Sequence, residues 1–139
     1  PQAAAGIRQC FAFAPATTIN QANYGARFKI PAASVADATV NAAVEIRFFS
    51  DAACADFIAG AGGLQGRTIS VGVPDDAFWY GTGDPNFIPP LGTVAQSAEV
   101  RATVRKLGRS VNAYTVYFDD IFLSVNGTVP VVLQSFSVE

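Results

Sequence analysis

The chain contains no histidine and no methionine. Without an imidazole there is no Ser-His-Asp triad, no histidine base and no histidine metal ligand, so many enzyme classes fall away together. Charge is scarce as well. Charged residues make up 14% of the chain, against roughly 25% in an average domain. The cations are scattered apart from Arg105, Lys106 and Arg109, and no basic stripe points to nucleic acid. No apolar run approaches the roughly 18 residues of a membrane span. Cysteine is limited to Cys10 and Cys54. Neither has a second ligand at zinc spacing, which argues against a structural zinc.

What is there is apolar. Half of the 139 residues are hydrophobic and 12% are aromatic, with a net charge of −2. A chain of this length is expected to form one domain with a real core. So few charges cannot cover its surface, so part of the apolar area is exposed or covered by something else. The chain begins at Pro1, as expected of a processed secreted protein or a domain cut from a larger one. In an extracellular setting an even cysteine count predicts a disulfide between Cys10 and Cys54. Closing a loop of about 45 residues stabilises a fold by about 4 kcal/mol in the chain-entropy model. The alternative is two buried thiols in a reducing compartment.

Period-2 alternation dominates the pattern and predicts strands over residues 7–14, 24–30, 40–49, 66–73, 97–106, 113–125 and 129–138. In 40–49, Ala42, Val44, Ile46 and Phe48 share one face. In 97–106, Ala98, Val100, Ala102 and Val104 point inward, with Glu99, Arg101, Thr103 and Arg105 outward. The one helical candidate is 51–60, with Asp51 as its cap and Gly60 as its stop. Residues 74–93 read as a long irregular loop, a length that is usually functional or a packed plug. Short strands at this spacing, alternating in polarity and punctuated by Gly, Pro and Asn, predict an all-β protein: a single-domain antiparallel jelly-roll β-sandwich.

Three features could carry function. The first is the pair Asp119 and Asp120, set in an alternating apolar strand where carboxylates must be hydrogen-bonded, metal-bound or at a surface. They are candidate metal ligands, for Ca²⁺ above all, which needs roughly six to eight oxygens and therefore further donors. The other reading is a strand end or bulge with both carboxylates solvated or bonded to backbone N–H groups. The second is the aromatic run Phe78, Trp79 and Tyr80, with Asp84 nearby. Aromatic faces stack on sugar rings and carboxylates accept hydroxyl hydrogen bonds, so these four residues form a candidate carbohydrate site. Equally, Trp79 would anchor the loop over the open end of the sandwich. The third is the terminal strand. Val131, Leu133, Phe136 and Val138 place apolar side chains on both of its faces, unlike a half-exposed edge. Together with the uncharged residues 1–7, it is a candidate assembly surface. Asn126-Gly127-Thr128 matches a glycosylation sequon and also reads simply as a turn.

The strand SAEVRATVRK, a turn and the strand ending VYFDDIFLS, residues 93–124, resemble the C-terminal half of jelly-roll carbohydrate-binding modules and their galactose-binding-like relatives. The stretch VEIRFFSDAACADF resembles an earlier strand of secreted bacterial domains of that type. The resemblance implies polysaccharide binding, and a structural Ca²⁺ held in part by Asp119 or Asp120. The family's N-terminal calcium-ligand segment has no counterpart, residues 7–13 standing in its place. Two functions follow as expectations. The first is a non-catalytic, extracellular subunit that self-assembles, as a homo-oligomer or polymer, into a filament or surface layer. The alternative is a carbohydrate-binding module that uses the aromatic loop.

Overall fold

The computed structural model describes residues 4–35, 39–70, 79–107 and 114–128, and the backbone path of 132–138. Among them run eight strands: β1 Ala4–Thr18, β2 Ala22–Lys29, β3 Val40–Phe49, β4 Phe57–Ile69, β5 Tyr80–Phe87, β6 Val94–Lys106, β7 Tyr117–Val125 and β8 Val132–Val138. A 3-10 turn, Ala32–Val35, follows β2. The strands form two antiparallel sheets, one of five strands in the order β4-β3-β6-β1-β8 and one of three in the order β5-β2-β7. The pairs β1–β8, β2–β7 and β3–β6 nest inside one another. That nesting is the wrapping of a jelly roll. Here β4 joins the larger sheet beside β3 instead of crossing to the smaller one, and the result is five strands against three.

The alternation in β3 and β6 does what the sequence reading expects. Val44, Ile46, Phe48, Val100, Ala102 and Val104 are all buried between the sheets. They meet Tyr24, Ala26 and Phe28 from β2 and Leu123 from β7. Each large apolar side chain placed there contributes roughly 1.5–3 kcal/mol. The outward row of β6 departs from simple exposure. Glu99 faces away from the core, yet its side chain is only 5% exposed, because Arg8 and Arg101 reach over it at 3.5 and 3.2 Å. Arg8 reaches across from the neighbouring β1 and Arg101 from β6 itself. At its end Lys106 is 1% exposed, with its ammonium 5.4 Å from the centre of the Tyr114 ring. A lysine buried in this way gains from the negative ring face.

The helix expected over 51–60 is absent. Asp51 caps as read, but what it caps is a turn. Its carboxylate accepts the N–H groups of Ala53, Ala55 and Asp56. These backbone bonds, that of Asp56 foremost, hold its carboxyl below the ordinary value. The turn brings Cys54, with φ 57°, to Cys10 on the outer side of β1, and the two form a disulfide. The Ser97 hydroxyl fixes the turn to β6, donating to the Asp51 carbonyl and accepting from the Cys54 N–H. Beyond it the chain enters β4 at Phe57, well before the expected strand at 66. The long loop expected over 74–93 contains β5. Residues 126–127 have φ 52° and 80° and form a two-residue hairpin turn closed by reciprocal Val125–Thr128 backbone bonds. The Asn126 amide is committed to it, accepting from the Asn20 and Gln21 N–H groups and donating to the Thr18 carbonyl. This is the turn reading of the sequon.

Candidate functional site

The acid pair lies on β7, an edge of the smaller sheet. Gly25 pairs with Phe122 and Arg27 with Asp119, so Asp120 and Ile121 together stand opposite Ala26 alone. Two residues against one is a β-bulge, and it puts Asp120 at φ 49°. Both acids are exposed. Asp119 Oδ1 accepts the Asp120 N–H at 2.8 Å, and Asp120 Oδ2 lies 3.4 Å from the Arg27 guanidinium. Among the described residues no three or more Asp, Glu, Cys or His side chains converge on a point. No third acidic, cysteine or histidine side chain thus joins Asp119 and Asp120 among those residues. A charged bulge on an edge strand has a different physical use. It twists the edge away and repels a second strand.

The aromatic cluster divides. Trp79 stands just before β5 and is 44% exposed. Tyr80 turns inward and stacks on Phe28, with centroids 5.6 Å apart. Phe78 lies outside the described residues, as does Val131 of the terminal strand. Asp84 is in β5, where its carboxylate accepts the Asn86 N–H. By register Tyr80 and Asp84 share one face of β5, opposite Phe28 and Tyr24, but the half-buried Tyr80 ring is committed to packing.

A groove does open beside β5. It has a volume of about 480 Å³ and runs past Asp84, Thr82, Gln65, Arg67, Arg27 and Phe122. Its cause is glycine. Gly81 and Gly83 in β5, and Gly66 in β4, leave the backbone bare where other strands carry side chains. The Phe122 ring covers Gly25 so closely that a Cβ there would sit 2.7 Å from it. Phe122 nonetheless remains 44% exposed. Arg67 packs its guanidinium on the Tyr80 ring at 4.7 Å. The wall is thus two arginines, an acid, an amide and a hydroxyl around one aromatic face. Beneath it Tyr24 is fully buried, and its hydroxyl has no hydrogen-bond partner among the described residues. Burial, with the charges of Asp84 and Glu45, pushes that hydroxyl up to about 12. The reading from sequence missed Arg27, Gln65, Arg67 and Phe122, which sit on three separate strands, β2, β4 and β7. The available signal was the glycine spacing Gly81-Thr82-Gly83.

The terminal segment forms β8, hydrogen-bonded to β1 along residues 7–12. It stands at the margin of the larger sheet, with a strand on one side only among the described residues. Residues 4–7 pair with β6, so the N-terminal stretch from Ala4 lies inside the sheet and does not project as an arm.

No protein-family model matches the chain, and no curated protein matches it. What the structure itself defines is a class, the antiparallel β-sandwich wrapped as a jelly roll and tied by one disulfide. No helix among the described residues is long and apolar enough to cross a membrane. The disulfide fits an oxidising compartment.

Proposed function

We propose that this protein is a non-catalytic structural subunit, secreted and disulfide-tied, that assembles with copies of itself through the margins of its larger sheet. The observation that carries the reading is β8. A marginal strand presents a row of backbone N–H and C=O groups, the surface onto which a further strand adds. The sequence of β8 supports the same reading, with apolar residues at both parities and no charge from Val132 to Val138. A chain without histidine, half of it hydrophobic, suits a building block better than a hydrolase. The test is deletion of residues 129–139. The truncated chain, folded or not, is expected to give no polymers under conditions where the intact protein forms them. A truncated chain that polymerises as well as the intact one would place the contact elsewhere.

A second reading, a carbohydrate-binding module, is favoured by one observation: the groove of Arg27, Arg67, Asp84 and Gln65 around the exposed Phe122 ring. Such a surface offers a sugar ring one apolar face and several hydroxyl partners. On this reading Phe122→Ala weakens polysaccharide binding by about 1 kcal/mol or more with the fold intact. An array on which no glycan binds the intact protein removes the reading.

A further inference from the structure

Among the described residues four strands border the two sheets, and they are not alike. β5 carries Asp84 and Pro85, and β7 carries the bulged acids Asp119 and Asp120. Proline, charge and bulges are the devices that keep edges from pairing. β4 carries neither charge nor proline from Phe57 to Gly66, and its register with β3 shifts between Phe57 and Gly62. From Gly62 to Ile69 it keeps unbroken register with β3. From Gly62 to Gly66 it is therefore a straight edge without charge or proline.

The strand also carries a knob and a hole. Leu64 is 65% exposed on the outer face of the larger sheet, beside Glu45 of β3. Two residues away on the same face is Gly62. Around it lies a hollow of about 340 Å³, walled by Phe57, Arg47 and Leu64 and floored by Gly60 and Gly62. The Phe57 wall is held in place by Phe49 and by the Arg47 guanidinium 4.5 Å over its ring.

We infer that β4 pairs with β4 of a second copy, antiparallel about a two-fold axis at Gly63, each Leu64 seating in the other's hollow over Gly62. Residues directly opposite in an antiparallel pair share a face of the sheet. An axis at Gly63 sets Leu64 against Gly62 twice and Gln65 against Ala61 twice, with no like charges opposed. The knob-to-hole distance of two residues is what this axis requires. Direction points the same way. Five antiparallel strands leave β4 and β8 running the same way. A head-to-tail junction of β8 with β4 would be a parallel pair, slightly less stable per residue than an antiparallel one. Junctions of β4 with β4 and of β8 with β8 are both antiparallel. Each is isologous and closes on itself, and alternating the two continues the larger sheet without end in a two-subunit repeat.

This inference rests on the assembly reading above, and the test separates the two. Wild type, Leu64→Lys and, as a control for lost apolar surface, Ile88→Lys are compared by sedimentation velocity over a wide concentration range. Leu64 is exposed, so its lysine variant retains the fold. Wild type and Ile88→Lys are expected to form long assemblies, and Leu64→Lys to stop at dimers joined through β8. A wild type that stops at dimers, with a monomeric Leu64→Lys protein, would keep the β4 contact and remove the β8 one. A Leu64→Lys protein that assembles like wild type would overturn the β4 contact and leave the assembly reading standing. A monomeric wild type would overturn both.

Discussion

Replacing Tyr24 by phenylalanine should stabilise this protein. Tyr24 is fully buried in β2, its ring edge-on to Phe87 at 6.0 Å. Its hydroxyl has no hydrogen-bond partner among the described residues. It sits beneath Gly63 of β4, 3.1 Å from where a Cβ on that glycine would lie. A buried hydroxyl with no partner costs roughly 1–3 kcal/mol in lost hydration. Removing the oxygen recovers that cost and forfeits only the dispersion contacts of one atom, each of roughly 0.1–0.2 kcal/mol. The net gain should be about 1 kcal/mol, or roughly 3–4 °C in Tm for a domain of this size. Urea unfolding followed by circular dichroism measures it, with an unchanged slope showing that the exposed surface is the same. The alkaline limb gives a second readout. The hydroxyl titrates near 12 in the folded chain and near 10 when unfolded. Wild-type stability should thus fall as pH rises between those values, since the unfolded state then holds fewer protons. Tyr24→Phe should lose that part of the slope. A variant destabilised by 1 kcal/mol or more would mean that the hydroxyl is hydrogen-bonded, and the reasoning would be wrong.

Further outcomes follow from the same packing. Cys10→Ala with Cys54→Ala, closing no loop across the 44-residue separation, should cost up to about 4 kcal/mol in chemical denaturation; a loss below 1 kcal/mol would show that the turn at 51–56 holds without the bond. Asp51 has a depressed carboxyl, so its contribution is complete above the ordinary value of 3.8 and is lost as pH falls through the lower folded value. Asp51→Ala should therefore lower Tm at neutral pH and flatten the acid limb below pH 3.8; an unchanged acid limb would contradict the three N–H bonds assigned to it. Gly63→Ala, whose Cβ would meet the Phe87 ring at 2.7 Å, should cost roughly 1–3 kcal/mol as overpacking does, and a neutral result would mean the sheets are less closely packed there than described.

The fold was legible where side chains alternate and illegible where they are missing. β3 and β6 announce themselves through Val44, Ile46, Val100 and Val104, because burial on one face imposes period 2. β5, with the sequence YGTGDPNF, carries no such mark. It is a strand because β2 supplies its ladder on one side, and tertiary pairing overrides propensity. The first half of β4, FIAGAGG, was hidden for the same reason. At 51–60 the capping chemistry of Asp51 was read correctly and its consequence was not. An aspartate that collects N–H groups starts a helix or closes a turn, and here the bond from Cys54 to Cys10 goes with the turn. The disulfide followed from cysteine count and context. The acids at 119 and 120 were visible as an anomaly, but pattern alone does not separate a metal site from a guarded edge. What the structure adds is the bulge opposite Ala26, which the pattern does not show.

The central claim is that this sandwich builds sheets larger than itself. Light scattering of the purified, oxidised protein across a hundredfold range of concentration tests it most directly, with negative-stain images of the same samples. The account predicts a mass that climbs with concentration well beyond a dimer, together with elongated particles. A constant monomer mass of 14.5 kDa at every concentration would contradict it.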